Sequence, residues 1–362
     1  MVGTVVVGLL AAGVLLGDDD GTPAASERKE ETTTTRRRTT TTRPRPTTTT
    51  TLAGPLFAGH VVRGWLLSGN PDGWTLVDIE SGAELESGLP FDDPYSVRAV
   101  AGGVVLLSGG EARFYDLRVP AAVREPVSLG PADRILNTME GDKVWLVEAS
   151  ALPDGSRARL VDLAGRELRS LQMPEPLPTF EGPFLSPVVG TPEGLLFDRG
   201  GRVYMIDEAG VDVVAIGDMV GAVESSVLIF SCDEDGATCG IDLREPSGSP
   251  IRRLDVEQPS PAFGVTVTSA DDGRLALVTQ QPLPTGDTSV ITLFEPDGRT
   301  IATMEVVGYM SNPPSWLPNG AGLVGARNGR IVWIHPTGDG WVVEDLPGIT
   351  VQSEGVIAVP TP

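Results

Sequence analysis

From residue 56 onward, short apolar runs alternate with turn signals in a pattern that repeats. Its core is an apolar strand that ends in an acidic or polar residue and leads into a Gly-containing turn. The copies read WTLVDIESG (Trp74–Gly82), RFYDL (Arg113–Leu117), RLVDLAG (Arg159–Gly165), VYMIDEAG (Val203–Gly210), CGIDL (Cys239–Leu243), ITLFEPDG (Ile291–Gly298) and IVWIHPTG (Ile331–Gly338). Their marker residues, Asp78, Asp116, Asp162, Asp207, Asp242, Glu295 and His335, lie 38, 46, 45, 35, 53 and 40 residues apart. A second apolar run precedes each marker strand: VVRGWLL, VVLLS, VWLVEA, LLFD, VLIFS, RLALVT and GLVGA. A third strand comes before it across a short turn, as in SVRAV, RILNTM, FLSPVV and GVTVTS. A fourth follows the marker turn, as in AELES, VVAIG and TIATMEV. A period of roughly 40–50 residues with strand content predicts propeller blades. The expectation is therefore an all-β, seven-bladed β-propeller of four-stranded antiparallel blades over residues 56–362. A β-sandwich would show the alternation without seven units of like order.

The ends of the ring are also readable. Upstream of Val61 there is little room for an innermost strand, while ITVQSEGVIAV (Ile349–Val359) supplies a strand–turn–strand with no partner of its own. Strands within 349–359 are expected to complete the N-terminal blade, which removes an exposed sheet edge.

Ahead of the repeats the pattern changes twice. Val2–Leu16 is uncharged and apolar apart from Thr4. As a helix it spans about 22 Å, short of the ~30 Å hydrocarbon core, and no Lys or Arg precedes it. Residues 1–17 are read as a single-pass signal-anchor whose first part lies upstream, with a cleaved signal peptide and a secreted product as the alternative. Residues 32–51 are thirteen Thr, five Arg and two Pro. With no apolar residue to offset the entropy of ordering, 18–55 reads as a disordered extracytoplasmic stalk.

Composition narrows the function classes. Gly and Pro together make 75 of 362 residues, which excludes a long-helix or coiled-coil protein. The formal net charge is −22, and residues 52–362 alone carry 20 basic and 43 acidic residues. A body that acidic repels phosphate backbones, so nucleic acid is excluded as its partner. Two His and two Cys exclude a multi-ligand zinc or iron–sulfur protein, and no cofactor is expected.

The candidate chemistry is sparse. A carboxylate recurring once per blade serves the blade, because Asp before a Gly turn accepts backbone N–H groups there. Cys232 and Cys239 bracket a hairpin turn, SCDEDGATCG, and are expected to form a disulfide in an exported protein. Asp233, Glu234 and Asp235 between them lack the later Glu of a calcium loop. Gly59 precedes His60 and Pro336 follows His335, so both imidazoles read as turn residues. Trp65, Trp74, Trp145 and Trp333 lie in apolar strands and read as packing between blades.

The loops divide unevenly between the two faces of the ring. Connections between strands 1 and 2 and between 3 and 4 read as short; those between 2 and 3 and between 4 and 1 read as long and Pro-rich. Long loops on a rigid scaffold are where binding resides. The residues expected on that face are Asn70, Asp72, Asp92, Asp93, Tyr95, Asp154, Arg157, Phe180, Asp287, Tyr309 and Trp316.

SWLPNGAGL (Ser315–Leu323) and SADDGRLALV (Ser269–Val278) resemble the S-P-D-G-x-x-L signature of WD-repeat-like, TolB-type propellers. WTLVDIESGAEL (Trp74–Leu85) resembles the repeat of PQQ-like propellers without its final Trp. These are blade signatures and imply a fold rather than an activity. The paired Gly-His…Trp-Asp mark of true WD repeats is absent, since no Trp-Asp accompanies the single Gly59–His60, and so is the sialidase box. The expected protein is a membrane-anchored, extracytoplasmic, monomeric propeller that binds a protein or glycan partner without catalysis. The alternative is a propeller enzyme of lyase, hydrolase or quinoprotein type, with its site in the central channel.

Overall fold

The computed structural model describes residues 56–360 apart from 58–61, 71–72, 91–96, 139–140, 149–155, 174–187, 199–200, 224–225, 233–238, 255, 257–264, 271–272, 284–285, 309, 311–313, 318–319 and 351–355. Residues 1–55, and with them the anchor and stalk, lie outside the described residues. The described chain belongs to one compact unit, Thr49–Pro362.

The chain lays down β1 (Gly64–Asn70), β2 (Gly73–Asp78) and β3 (Glu84–Glu86), and then six four-stranded units. Blade 2 is β4 (Val97–Val100), β5 (Gly103–Ser108), β6 (Glu111–Asp116) and β7 (Val127–Pro131). Blade 3 is β8 (Arg134–Asn137), β9 (Lys143–Glu148), β10 (Arg157–Asp162) and β11 (Glu167–Gln172). Blade 4 is β12 (Val188–Gly190), β13 (Leu195–Asp198), β14 (Arg202–Asp207) and β15 (Gly210–Ile216). Blade 5 is β16 (Asp218–Val223), β17 (Ser226–Cys232), β18 (Cys239–Arg244) and β19 (Pro250–Arg253). Blade 6 is β20 (Val265–Ser269), β21 (Leu275–Leu283), β22 (Gly286–Phe294) and β23 (Thr300–Val307). Blade 7 is β24 (Ser315–Trp316), β25 (Leu323–Arg327), β26 (Arg330–Thr337) and β27 (Gly340–Thr350). The last strand, β28 (Val356–Pro360), pairs antiparallel with β1, which gives blade 1 the order β28-β1-β2-β3.

Seven four-stranded antiparallel sheets therefore form a propeller ring with no α-helix among the described residues. The inner strands meet in sequence: β28 touches β4, β4 touches β8 and β8 touches β12; β16 touches β20, β20 touches β24 and β24 touches β28. Blade 4 meets β16 through β13 and β14.

Period-2 alternation decides where the core sits. Each strand sends alternate apolar residues to the two seams flanking its blade. On β1, Trp65 and Leu67 join Val104, Leu106 and Tyr115 in the seam with blade 2, while Leu66 joins Trp333 and Ala358 in the seam with blade 7. Seven such clusters occur among the described residues, one for each seam. Phe57 wedges into the seam between blades 7 and 1, edge-on to Trp333 at 5.0 Å.

The marker carboxylates hold the turns after the third strands. Asp78 accepts the Ser81 N–H at 2.7 Å, Asp116 that of Arg118 at 3.0 Å, and Asp207 those of Ala209 and Gly210 at 2.7 and 3.1 Å. Asp162 takes Ala164 and Arg166 at 3.1 and 2.9 Å. The glycine that follows does a second job. Gly165 has φ 82° and Gly248 φ 90°, and each brings its turn against the outer strand of the preceding blade. A Cβ on Gly165 would stand 2.7 Å from the Ser128 carbonyl, and one on Gly248 would overlap that of Val214. Gly298 meets the Arg252 side chain of blade 5 in the same manner.

Three expectations need correction. In blade 5 the strand does not end at Asp242: β18 runs on to Arg244, and the turn is closed by Glu245, whose N–H donates to Ser249 and whose carbonyl accepts from Gly248. Asp242 stays mid-strand, 3.2 Å from the Ser231 hydroxyl. His335 is a strand residue, not a turn residue, because β26 continues to Thr337 and pairs Pro336 with Trp341. Pro336 is tolerated there since β25 begins opposite Ile334, so no partner strand asks for its missing N–H. Of the segment 349–359, Ile349 and Thr350 finish β27, and only residues from Val356 onward enter blade 1.

Candidate functional site

The two faces of the ring differ less regularly than the loop lengths imply. Residues 87–96, 173–187, 254–264, 308–314 and 351–355 connect a fourth strand to the next first strand. Two other connections of that kind, 132–133 and Gly217, are minimal. On the opposite face, residues 117–126 form a long connection containing a 3₁₀ turn at Ala121–Val123.

The expected face residues separate into three groups. Asp72, Asp92, Asp93, Tyr95, Asp154, Phe180 and Tyr309, together with His60, lie outside the described residues. Asn70 and Asp287 belong to hairpin ladders, opposite Gly73 and Pro282, because β1–β2 and β21–β22 pair almost to their turns. Arg157 opens β10 and donates to the Ser170 hydroxyl at 2.9 Å and to Glu167 at 3.0 Å. Trp316 is buried at the far end of its strand, toward the short-turn face. Its indole N–H donates to the Thr268 carbonyl of blade 6 at 3.2 Å. The Arg274 guanidinium lies 5.2 Å over its ring and 5.9 Å over Trp341. That arrangement is a clasp between blades 6 and 7.

Trp145 likewise bridges two blades, whereas Trp333 bonds within its own blade. Trp145 donates to the Thr191 carbonyl of blade 4 at 2.9 Å, and Trp333 to Ala321 at 3.2 Å. His335 is buried and stacks on Trp333 with ring centroids 3.4 Å apart, its Nε2 3.5 Å from Glu344. Arg159, also buried, donates to Glu148 at 2.8 Å and to the Pro131 carbonyl of blade 2 at 2.7 Å. Cys232 and Cys239 are directly opposite in the β17–β18 register and form a disulfide. Among the described residues no three His, Cys, Asp or Glu side chains are grouped to hold a metal ion.

What remains is the central channel. The charged residues on the seven described inner strands are Arg98, Arg134 and Asp218. Arg98 and Arg134 come from the neighbouring strands β4 and β8. Burial lowers the pKa of both, and the like charge of Arg134 lowers that of Arg98 further. Two seams away, Asp198 is buried at the end of β13 and accepts the Met219 N–H of β16 at 2.9 Å. Burial pushes its carboxyl up, the Met219 N–H pulls it down, and the charge of Asp218 raises it again. Both arginines fall within the inner-strand runs SVRAV and RILNTM. The overlooked signal was a charge inside an otherwise apolar inner strand.

No family model matches the chain, and no curated protein matches it. Solved structures do. Apo AztD from Citrobacter koseri is 10% identical, with a TM-score of 0.45, over 83% of this chain and 98% of that one. Hydrazine synthase from Kuenenia stuttgartiensis is 14% identical, with a TM-score of 0.43, over 69% and 80%. A quinoprotein alcohol dehydrogenase-like protein from Bacteroides thetaiotaomicron VPI-5482 is 11% identical, with a TM-score of 0.36, over 65% and 60%.

Proposed function

We propose that the protein is a binding propeller displayed outside the cytoplasm, which meets a protein or glycan partner through its long connections without catalysing a reaction. The observation that carries this reading is the use made of the recurrent carboxylates. Asp78, Asp116, Asp162 and Asp207 each hold the backbone of their own turn, so the chemistry repeated around the ring serves architecture. The Cys232–Cys239 disulfide supports an oxidising compartment. In this reading residues 2–16 anchor the chain, residues 18–55 carry it away from the membrane, and the propeller works as a monomer. The test replaces 91–95, 176–185 and 257–263 with Gly-Ser linkers in the full chain. An unchanged melting temperature with loss of binding, on a glycan array or by surface cross-linking to extracytoplasmic proteins, is the expected result. Undiminished binding by the replaced chain overturns it.

One observation favours a second reading, a propeller enzyme. Asp198, with its raised carboxyl beside Asp218, has the environment from which a general acid is built. Turnover of any substrate that disappears in Asp198→Asn would establish that reading.

A further inference from the structure

Three of the nine exposed large apolar residues among the described residues fall on one strand, β15 of blade 4, and no other strand carries more than one. Val211 is 40% exposed, Val213 50% and Ile216 74%. They share one face. The register sets Val211 opposite Ile206, Val213 opposite Tyr204 and Ile216 opposite Arg202, and the bulge at Val214 keeps the three in step. Ile206 faces blade 3, so the three stand on the blade 3 side of the strand. Asp212, opposite Met205, stands on the blade 5 side.

β15 is also the last strand of its sheet, so the backbone groups on its outer side point away from β14. Such an edge is a template for another strand, and proteins blunt it with charge, proline or brevity. Other edges of the ring are blunted in these ways. β3 is only Glu-Leu-Glu, β11 carries Glu167 and Arg169, and β19 reads Pro-Ile-Arg-Arg. On β15 the stretch Gly210–Val213 is exposed throughout and holds one charge, Asp212. The Gly248 turn of blade 5 meets β15 at the Val214 carbonyl, past that stretch.

The edge sets the chemistry of its occupant. Backbone pairing asks for an extended segment, and the apolar row asks for apolar residues at alternate positions. Asp212, between the two valines, asks for a cation between them. A second copy of this chain is the wrong match, because it brings a further net charge of −22 and a second acidic edge.

We propose that the edge of β15 is a docking site for an extended segment of a partner protein, with apolar side chains beside Val211 and Val213 and a Lys or Arg beside Asp212. The site is built on a strand at the rim of blade 4 rather than on the long connections, and so goes beyond the binding reading above.

The experiment is fluorescence anisotropy of labelled heptapeptides with the full chain. Thr-Val-Lys-Val-Thr-Val-Thr, whose Val-Lys-Val core reads alike in either strand direction, should bind saturably. The same peptide with Glu in place of Lys should bind severalfold more weakly. Of its two alternately N-methylated forms, the one that blocks the amides facing β15 should lose about tenfold or more. Val213→Lys should weaken binding about tenfold, while Ile251→Lys, at an exposed position on β19, leaves it unchanged. In Asp212→Lys the preference should reverse in favour of the Glu peptide. Should Val213→Lys fail to fold, Ile216→Lys takes its place, with severalfold weaker binding expected. No binding of the Lys peptide, equal binding of the Lys and Glu peptides, indifference to both methylated forms, or full affinity in folded Val213→Lys overturns the site. So does a dimer in sedimentation that Val213→Lys dissolves, since a second copy then occupies the edge. Linker replacement of 91–95, 176–185 and 257–263 leaves β15 in place, so peptide binding should persist there, and either surface can fail without the other.

Discussion

Removing residues 356–362 takes away β28 and with it the inner strand of blade 1. The strand serves two seams at once. Val356 and Ala358 are buried against Trp333 and Leu66, and Val359 with Ile357 against Trp65, Leu67 and Val104. Burial of two valines, one isoleucine and an alanine is worth about 5–8 kcal/mol. The antiparallel ladder from Gly64↔Pro360 to Ser68↔Val356 adds about 1 kcal/mol for each hydrogen bond lost. Together the two losses are comparable with the whole stability of an ordinary domain, about 5–15 kcal/mol. Urea unfolding followed by tryptophan fluorescence should therefore show no cooperative transition in the truncated chain. The point variant Val359→Ala should fold, with stability lowered by about 1.5–3 kcal/mol. A truncated chain that unfolds cooperatively at the wild-type midpoint would refute the argument that β28 closes the ring energetically.

Other outcomes follow from single contacts. Asp198→Ala strips the buried Met219 N–H of its acceptor and should cost about 1–3 kcal/mol, whereas Asp198→Asn retains an acceptor and should be neutral or stabilising at pH 7. Because the folded carboxyl is raised, its contribution is full below the unfolded value near 3.9 and is lost as pH rises through the folded value. Urea midpoints of wild type and Asp198→Asn should thus converge in acid and separate above it. Gly248→Ala, with φ 90° and the Val214 carbonyl in the way, should destabilise by about 2–4 kcal/mol, while Gly338→Ala has open space and should cost far less. Their melting temperatures decide it. Cys232→Ser with Cys239→Ser should lose about 2–3 kcal/mol for a bridge spanning seven positions, and the intact purified chain should show both thiols blocked by mass spectrometry without reductant.

The blade number was legible because each unit repeats its own local chemistry. An apolar strand, a carboxylate and a Gly turn are all contiguous in sequence, as in Arg159–Gly165. Where the local cue was displaced, the reading slipped. CGIDL contains an Asp two residues before the strand ends at Arg244, and the true closing residue, Glu245, does its work through the backbone. His335–Pro336 carries a turn signal that β26 overrides, since a proline past the end of β25 costs no ladder bond. Trp316 follows a Pro-rich stretch, yet a strand of two residues carries it to the opposite end of the blade. Arg98 and Arg134 stand on the neighbouring inner strands β4 and β8, a placement that the order of the repeats already implies, whereas what each side chain meets there depends on tertiary packing.

The close approach of Gly165 to Ser128, Gly248 to Val214 and Gly298 to Arg252 has a consequence for how such a chain can grow. In blades 3, 5 and 6 the third turn is a tooth that fits a slot along the outer strand of the blade before it. Duplicating the stretch of gene that encodes one blade copies both parts together. The new unit arrives able to dock on either side, with no compensating change elsewhere. Drift in loop length is free so long as turn and outer strand stay in step, which fits marker spacings that range from 35 to 53 residues on an unbroken architecture.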